Sequence, residues 1–206
     1  MKILTVVGAR PQFIKAAAIS RVIRDQYANS IEEVIVHTGQ HHDENMSQIF
    51  FDELDIPKPK FNLEISGGGH GAMTGKMLEG IERVLLQERP DCLLIYGDTN
   101  STLAGAISAA KLHIPIAHVE AGLRSFNMRM PEEINRILSD RISTLLFCPT
   151  KTAVENLSAE GIKKGVYQVG DVMYDVALFY REKAQKNSRI LNALGLTNKG
   201  FALATC

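Results

Sequence analysis

The chain of 206 residues has no net charge to offer a polyanion, since 23 lysines and arginines balance 23 aspartates and glutamates. Without a basic excess or stripe, neither nucleic acid nor an acidic membrane surface is expected as a partner. Long apolar runs are also missing: none reaches the roughly 18 residues that span a bilayer. The opening Met1-Lys2-Ile3-Leu4-Thr5-Val6-Val7 is short for a signal peptide, is interrupted by Gly8-Ala9-Arg10, and reads as a first core strand. Cysteine is scarce, with only Cys92, Cys148 and Cys206, and no Cys-x-x-Cys pair occurs. An odd number, two of them in apolar strand contexts, predicts free thiols in a reducing compartment, hence a cytoplasmic protein. The six histidines lack zincin spacing, and no metal is expected.

What is present is 45% hydrophobic residues, enough for one domain with a full core and part of a second. Apolar runs alternate with helical patterns. Strands are expected at about 2–8, 34–37, 92–97, 114–119, 144–148 and 166–169. Helices are expected from Pro11 to about Asp25, then at 44–54, 73–88, 100–112, 131–143 and 150–160, and from after Asp171 to about Leu194. Strands separated by helix-length segments mean βαβ units and a mostly parallel sheet. Phe201-Ala202-Leu203-Ala204-Thr205-Cys206 reads as one more strand, the first of another sheet. A lone strand buries too little to be stable, so the chain is expected to be a fragment cut just inside a second α/β domain. The domain expectation is 1–170 for the first unit and 171–206 for a connecting helix plus that strand.

Chemistry gathers where strands end. In Ile95-Tyr96-Gly97-Asp98-Thr99-Asn100 a buried strand stops abruptly at an acid, and Gly97 permits the sharp turn. One strand later, Glu120 follows His118-Val119 in the same way. Carboxyl edges of open α/β sheets bind ligands, so Asp98 and Glu120 form a candidate acid/base pair. Asp98 has a plainer role open to it as the cap of the next helix. His118 reads more readily as a satisfied core histidine than as a ligand contact.

Further along, Pro131 marks a helix start and places Glu132 and Glu133 in its first turn, where acids favour the helix dipole without any other purpose. Arg136 lies on the same face and can pair with either. If the loop over 121–130 folds back across the sheet edge, Glu132 approaches Asp98 and Glu120, and three such carboxylates would repel. At the first strand's end, Arg10 sits at a helix N-terminus suited to phosphate, with Lys15 about one turn in. The glycine run Gly67-Gly68-Gly69-His70-Gly71 fits neither a Walker loop nor a Rossmann fingerprint and reads as a mobile loop, with a lid role open.

Six segments, taken in order, resemble motifs of the non-hydrolysing UDP-N-acetylglucosamine 2-epimerases. They are Gly8-Ala9-Arg10-Pro11-Gln12 with Lys15, His37-Thr38-Gly39-Gln40-His41, Tyr96 to Thr102, His118 to Arg124, Pro131 to Arg136, and Val169 to Met173. The resemblance implies a Rossmann-like three-layer α/β domain with a mostly parallel sheet, one half of a glycosyltransferase-B-type two-domain enzyme. It implies interconversion of UDP-GlcNAc and UDP-ManNAc without metal or nicotinamide, through loss of the C2 proton, departure of UDP to give a 2-acetamidoglucal, and re-addition. Carried over by position, Asp98, Glu120 and Glu132 match the acidic triad, while Arg10 and Lys15 match substrate and phosphate contacts. Arg136 matches a supporting arginine, and Asn100 stands among the substrate contacts. Gln40 and His41 fall where some bacterial members form a second, activating nucleotide-sugar site. A homodimer is implied as well.

Length is the departure. Family members continue past this point, with a His-Arg pair directly after the strand matching 201–206, and the second domain holds most uridine and diphosphate contacts. The expectation is half an enzyme that folds but turns over little substrate alone. Other readings stay open: a hydrolysing sister releasing ManNAc and UDP, or an epimerase of a modified sugar such as a UDP-2,3-diacetamido uronic acid. For the latter, the loop Ser125 to Met130 is the place to look, with Arg129 facing a sugar carboxylate. A non-catalytic nucleotide-sugar-binding domain and a glycosyltransferase of the same fold complete the set.

Overall fold

The computed structural model describes residues 1–40, 56–197 and 200–204. Its seven strands are β1 (Lys2–Val7), β2 (Glu32–His37), β3 (Phe61–Asn62), β4 (Cys92–Tyr96), β5 (Ile116–Val119), β6 (Leu145–Cys148) and β7 (Val166–Gln168). They form one sheet in the order β3-β2-β1-β4-β5-β6-β7, parallel throughout. Chain order runs outward from β1 to one side and then, from β4, to the other. The point of reversal lies between β1 and β4, where open α/β sheets form a ligand crevice at their carboxyl edge.

Strand alternation builds a core on each face. Leu4, Val6, Val34, Val36, Leu93 and Ile95 point one way, against Met77, Ile81 and Leu85 of α2 (His70–Glu88) and Ala104 and Ala106 of α3 (Asn100–Lys111). Val7, Ile35, Leu94, Tyr96, Ala117 and Val119 point the other way, against Phe13, Ala16 and Ala17 of α1 (Arg10–Gln26). Small residues on α1 and α3 let these helices approach the sheet closely. The last stretch of sheet is covered by α4 (Pro131–Ile142) and α5 (Lys151–Ala159). After β7 the chain enters α6 (Val172–Asn187), whose Val172 and Val176 return to the α1 face, and then the short α7 (Ile190–Ala193).

Three elements depart from expectation. β3 was not anticipated, because two residues following the extended Pro57-Lys58-Pro59 carry no alternation to read. α2 begins at His70, three residues before its expected start, so His70 and Gly71 belong to a helix rather than to a loop. Glycine costs about 1 kcal/mol in a helix, and the buried Met77, Gly80, Ile81, Val84 and Leu85 face outweighs that penalty. Residues 201–204, expected as a strand, have no regular structure and lie exposed, since they pair with no strand of the sheet. The helix expected over 44–54 lies outside the described residues, as does His41.

Candidate active site

The turn after β4 is held carbonyl by carbonyl. Gly97 donates its N–H to Val119 O at 3.0 Å, the last ladder bond at this edge. Tyr96 O accepts from Gln12 Nε2 (2.8 Å) and Thr102 Oγ1 (2.7 Å), Gly97 O lies 2.7 Å from His118 Nε2, and Asp98 O accepts from Asn135 Nδ2 (2.8 Å). Gly97 has φ +61°, the left-handed region open to glycine. The helix cap is Thr99, whose hydroxyl accepts from Thr102 N at 3.3 Å. Asp98 is therefore free of the capping role and turns instead to Arg136.

Two acid–cation pairs flank this turn. Arg136 Nη2 pairs with Asp98 Oδ2, and Lys15 Nζ with Glu120 Oε2. A Cβ placed on Gly97 would lie 3.2 Å from Glu120 Oε2 and 3.3 Å from Lys15 Nζ, so the second pair sits directly over the turn that carries Asp98. The side chains of Lys15 and Glu120 are only 12% and 14% exposed, which reduces solvent screening of their attraction. Each acid meets its own cation, an arrangement that removes the repulsion expected of bare carboxylates.

Glu120 itself has φ +70°, a strained conformation for a residue with a side chain. The neighbouring backbone holds it there: Glu120 N and Ala121 N both donate to Phe147 O (3.1 and 3.2 Å). Gly122, at φ +79°, allows a tight approach, since a Cβ there would fall 2.3 Å from Ala153 O.

The two glutamates at the start of α4 divide their roles. Glu133, with a side chain 1% exposed, accepts from the N–H groups of Ser125 and Phe126 (each 2.9 Å) and from Arg136 Nη1 (3.2 Å). Burial works to raise its pKa, but those donors outweigh it and hold the carboxyl below its ordinary range. Glu133 thereby fixes both the 125–126 loop and the arginine that meets Asp98. Glu132 is exposed and lines a cleft of about 230 Å³ with Ala9, Gln40, His70, Asp98, Asn100 and Asn135.

The structure thus brings Asp98, Glu132, Asn100 and Gln40 to one cleft, with the Lys15–Glu120 pair beside it over Gly97. Gln40 Oε1 accepts from Ser101 Oγ (2.8 Å) and Ser101 N (3.3 Å), and Ser101 Oγ lies 2.8 Å from Thr38 Oγ1. Arg10 is the exposed first residue of α1, adjacent to the cleft residues Ala9 and Pro11. Three participants, His70, Asn135 and Gln12, were not singled out from sequence, whereas Glu133 was read there as a first-turn acid able to pair with Arg136, as it does. His70 lies 3.1 Å from Asn100 Nδ2, Asn135 and Glu133 fix Asp98 and Arg136, and Gln12 holds the first loop by accepting from Gly8 N and Ala9 N (2.8 and 3.1 Å). Gln12 and Asn135 each stand inside a segment quoted above for the resemblance, which was the signal available; His70 had none. Among the described residues, no three His, Cys, Asp or Glu side chains cluster to hold a metal ion.

A doubly wound sheet with acids and cations gathered at its carboxyl edge, beside the switch point, defines a Rossmann-like ligand-binding domain. The family model described as UDP-N-acetylglucosamine 2-epimerase matches residues 24–206, and the chain belongs to that family. It is 58% identical, over all of its length and 57% of the relative's, to the UDP-2,3-diacetamido-2,3-dideoxy-D-glucuronate 2-epimerase of Pseudomonas aeruginosa. A UDP-N-acetylglucosamine 2-epimerase homolog of Methanococcus maripaludis is 57% identical, again over the whole chain and 57% of the relative. The crystal structure of Methanocaldococcus jannaschii UDP-GlcNAc 2-epimerase with UDP-GlcNAc and UDP superposes with a TM-score of 0.89 at 48% identity, covering 94% of this chain and 53% of that one. The chain spans about half the length of the curated relatives it matches.

Proposed function

We propose that this chain is the acid-bearing half of a UDP-N-acetylglucosamine 2-epimerase. The observation that carries the reading is the pairing at one sheet edge: Asp98 on Arg136 and Glu120 on Lys15, on adjacent strand ends across Gly97. One carboxylate takes the C2 proton, the C2 electron pair forms the C1–C2 double bond, and the C1–O bond breaks to release UDP. In the return step a UDP oxygen re-forms the bond to C1 while the other carboxyl, protonated, gives its proton to the opposite face of C2; proton exchange with solvent restores both acids, so that nothing is consumed. Lys15 and Arg10 are the proposed contacts to the diphosphate, a reading supported by their position near the α1 N-terminus. Glu132 and Asn100 line the cleft as further sugar contacts. Gln40, bonded to Ser101 at the start of α3, lines the cleft, and with His41 it is the candidate for a second nucleotide-sugar contact.

A second reading has a specific observation behind it. A relative at 58% identity is named for a diacetamido glucuronate sugar, and the exposed Arg129 in the 125–130 loop is a cation available to a sugar carboxylate. Both readings share one mechanism. The test is turnover by the full-length gene product with each sugar in turn. For the preferred sugar, Asp98→Asn and Glu120→Gln are expected to lower kcat by about 100-fold to 10,000-fold. Two active variants would remove the proposal.

Residues 171–206 are proposed as the connection into a second domain. Tyr174, Leu178, Phe179, Ile190, Leu194, Phe201 and Leu203 are large apolar residues exposed along it, and such a surface calls for a cover. A homodimer is proposed for the full-length protein, supported by the exposed Ile134, Leu138 and Ile142 on one side of α4. A cytoplasmic location is proposed from the thiols: Cys92 is free and half-buried, and Cys148 is free and buried, its pKa pushed up to about 11 chiefly by burial. No helix among the described residues is long and apolar enough to cross a membrane.

A further inference from the structure

Beneath the acids lies a buried polar chain that proton transfer itself does not require. His118 and Asp140, their side chains fully buried, meet at 2.7 Å between His118 Nδ1 and Asp140 Oδ1. The other ring nitrogen, Nε2, lies 2.7 Å from Gly97 O. The second oxygen of Asp140 accepts from Gly122 N (3.1 Å) and from Arg124 Nη1 (2.7 Å), and Arg124 continues to Glu160 at 2.6 and 2.7 Å. Burial works to raise the Asp140 pKa, but His118 and Arg124 outweigh it and keep the group below its ordinary range. A carbonyl can only accept, so His118 Nε2 donates to Gly97 O in this arrangement.

A histidine that merely filled the core would not need its second bond to fall where the sheet gives out. Gly97 N makes the last ladder bond, and Gly97 O begins the peptide that leads into Asp98. At that atom His118 takes over from the strand. On the next strand Asp140 does the same for Gly122, two residues past Glu120, where the backbone is left-handed at both positions. One carboxylate on α4 therefore fixes the two turns that carry the two acids.

We infer that His118 is a positioning residue for Asp98, and that Asp140 couples the Asp98 and Glu120 turns through a single buried carboxylate. The inference rests on the epimerase reading for its effect on turnover, but its geometric content stands apart from activity. His118→Phe keeps a planar ring and removes both polar contacts, His118→Gln restores an N–H toward Gly97 O, and Asp140→Asn weakens the hub while keeping its shape.

The experiment has two arms. Backbone amide NMR of the 206-residue chain should show Gly97, Asp98 and Thr99 shifted and exchanging faster in His118→Phe, with Leu93 to Ile95 unmoved and His118→Gln returning toward wild type. Asp140→Asn should move the Asp98 and Gly122 amides together. In the full-length product, His118→Phe should lower kcat by up to about 100-fold with KM little changed, and His118→Gln should recover part of that loss.

Turn amides unchanged in His118→Phe, or an Asp140→Asn variant that moves Gly122 alone, would overturn the inference. Should His118→Phe fail to fold, Asp140→Asn decides the coupling alone. Failure of the epimerase reading would appear differently, as a wild-type protein without turnover whose amides still respond as described.

Discussion

At the residue scale, Glu120 is where function and stability oppose each other. Its φ of +70° is a conformation that costs a residue with a side chain about 1–2 kcal/mol, and the strand-end geometry maintains it. Glu120→Gly is therefore expected to abolish turnover in the full-length product while leaving the urea midpoint of the chain unchanged or raised. A marked fall in midpoint would mean that the Lys15 pair, not the strain, dominates at this position. Glu33, away from the cleft, is a second residue held at a cost to stability. Thr5 Oγ1 donates to its Oε1 at 2.6 Å, while Oε2 has no hydrogen-bond partner among the described residues. Burial raises its pKa above the ordinary 4.5. For an acid raised on folding, stability is full below the unfolded value and falls as pH rises through the folded one. Glu33→Gln should accordingly stabilise the chain at pH 8 by about 1 kcal/mol and make little difference at pH 4, as read by denaturation at both.

At the scale of elements, α4 organises the site. Its first turn supplies Glu132 to the cleft and Glu133 to the 125–126 loop, its second turn supplies Asn135 and Arg136 to Asp98, and its third supplies Asp140. Glu133 and Asp140 both have pKa values lowered from 4.5 and 3.8. For acids lowered on folding, the contribution is present above those values and is lost as pH falls through the folded ones. Acid should therefore release the 125–126 loop and the α4 contacts before the β1–β4 core melts. Amide exchange at Ser125 and Phe126, followed from pH 6 to pH 3, checks this; simultaneous loss of β1 and β4 protection would contradict it.

The same element shows what a sequence displays and what it hides. Pro131, the acids after it and the apolar periods of α1, α3 and α5 are local signals, and the sheet followed from their alternation. The strand-end positions of Asp98 and Glu120 and the Arg136–Glu133 pair were legible because strand ends and helix faces are local too, whereas the Arg136–Asp98 pair, which joins two distant segments, was not. Which of Glu132 and Glu133 turns inward was not legible, because that depends on where the 121–130 loop folds. His70 was hidden by the glycines around it, and β3 by its two-residue length. His118 was readable as a core histidine, but its bond to Gly97 O depends on the β4–β5 register.

At the scale of the whole molecule, the chain spans about half of its curated relatives. The 206-residue chain is expected to fold on its own two-faced core yet turn over UDP-GlcNAc at least about 1,000-fold more slowly than the full-length product, by analogy with sites completed only on closure. Equal rates for the two would contradict the division of labour proposed here.

The most direct test of the central claim is proton NMR of the full-length product with UDP-GlcNAc in D₂O. Deuterium is expected to enter C2 as UDP-ManNAc appears, with both events lost together in Asp98→Asn and Glu120→Gln. Epimer formation with the C2 proton retained, or exchange undiminished in both variants, would contradict proton transfer by this pair of acids.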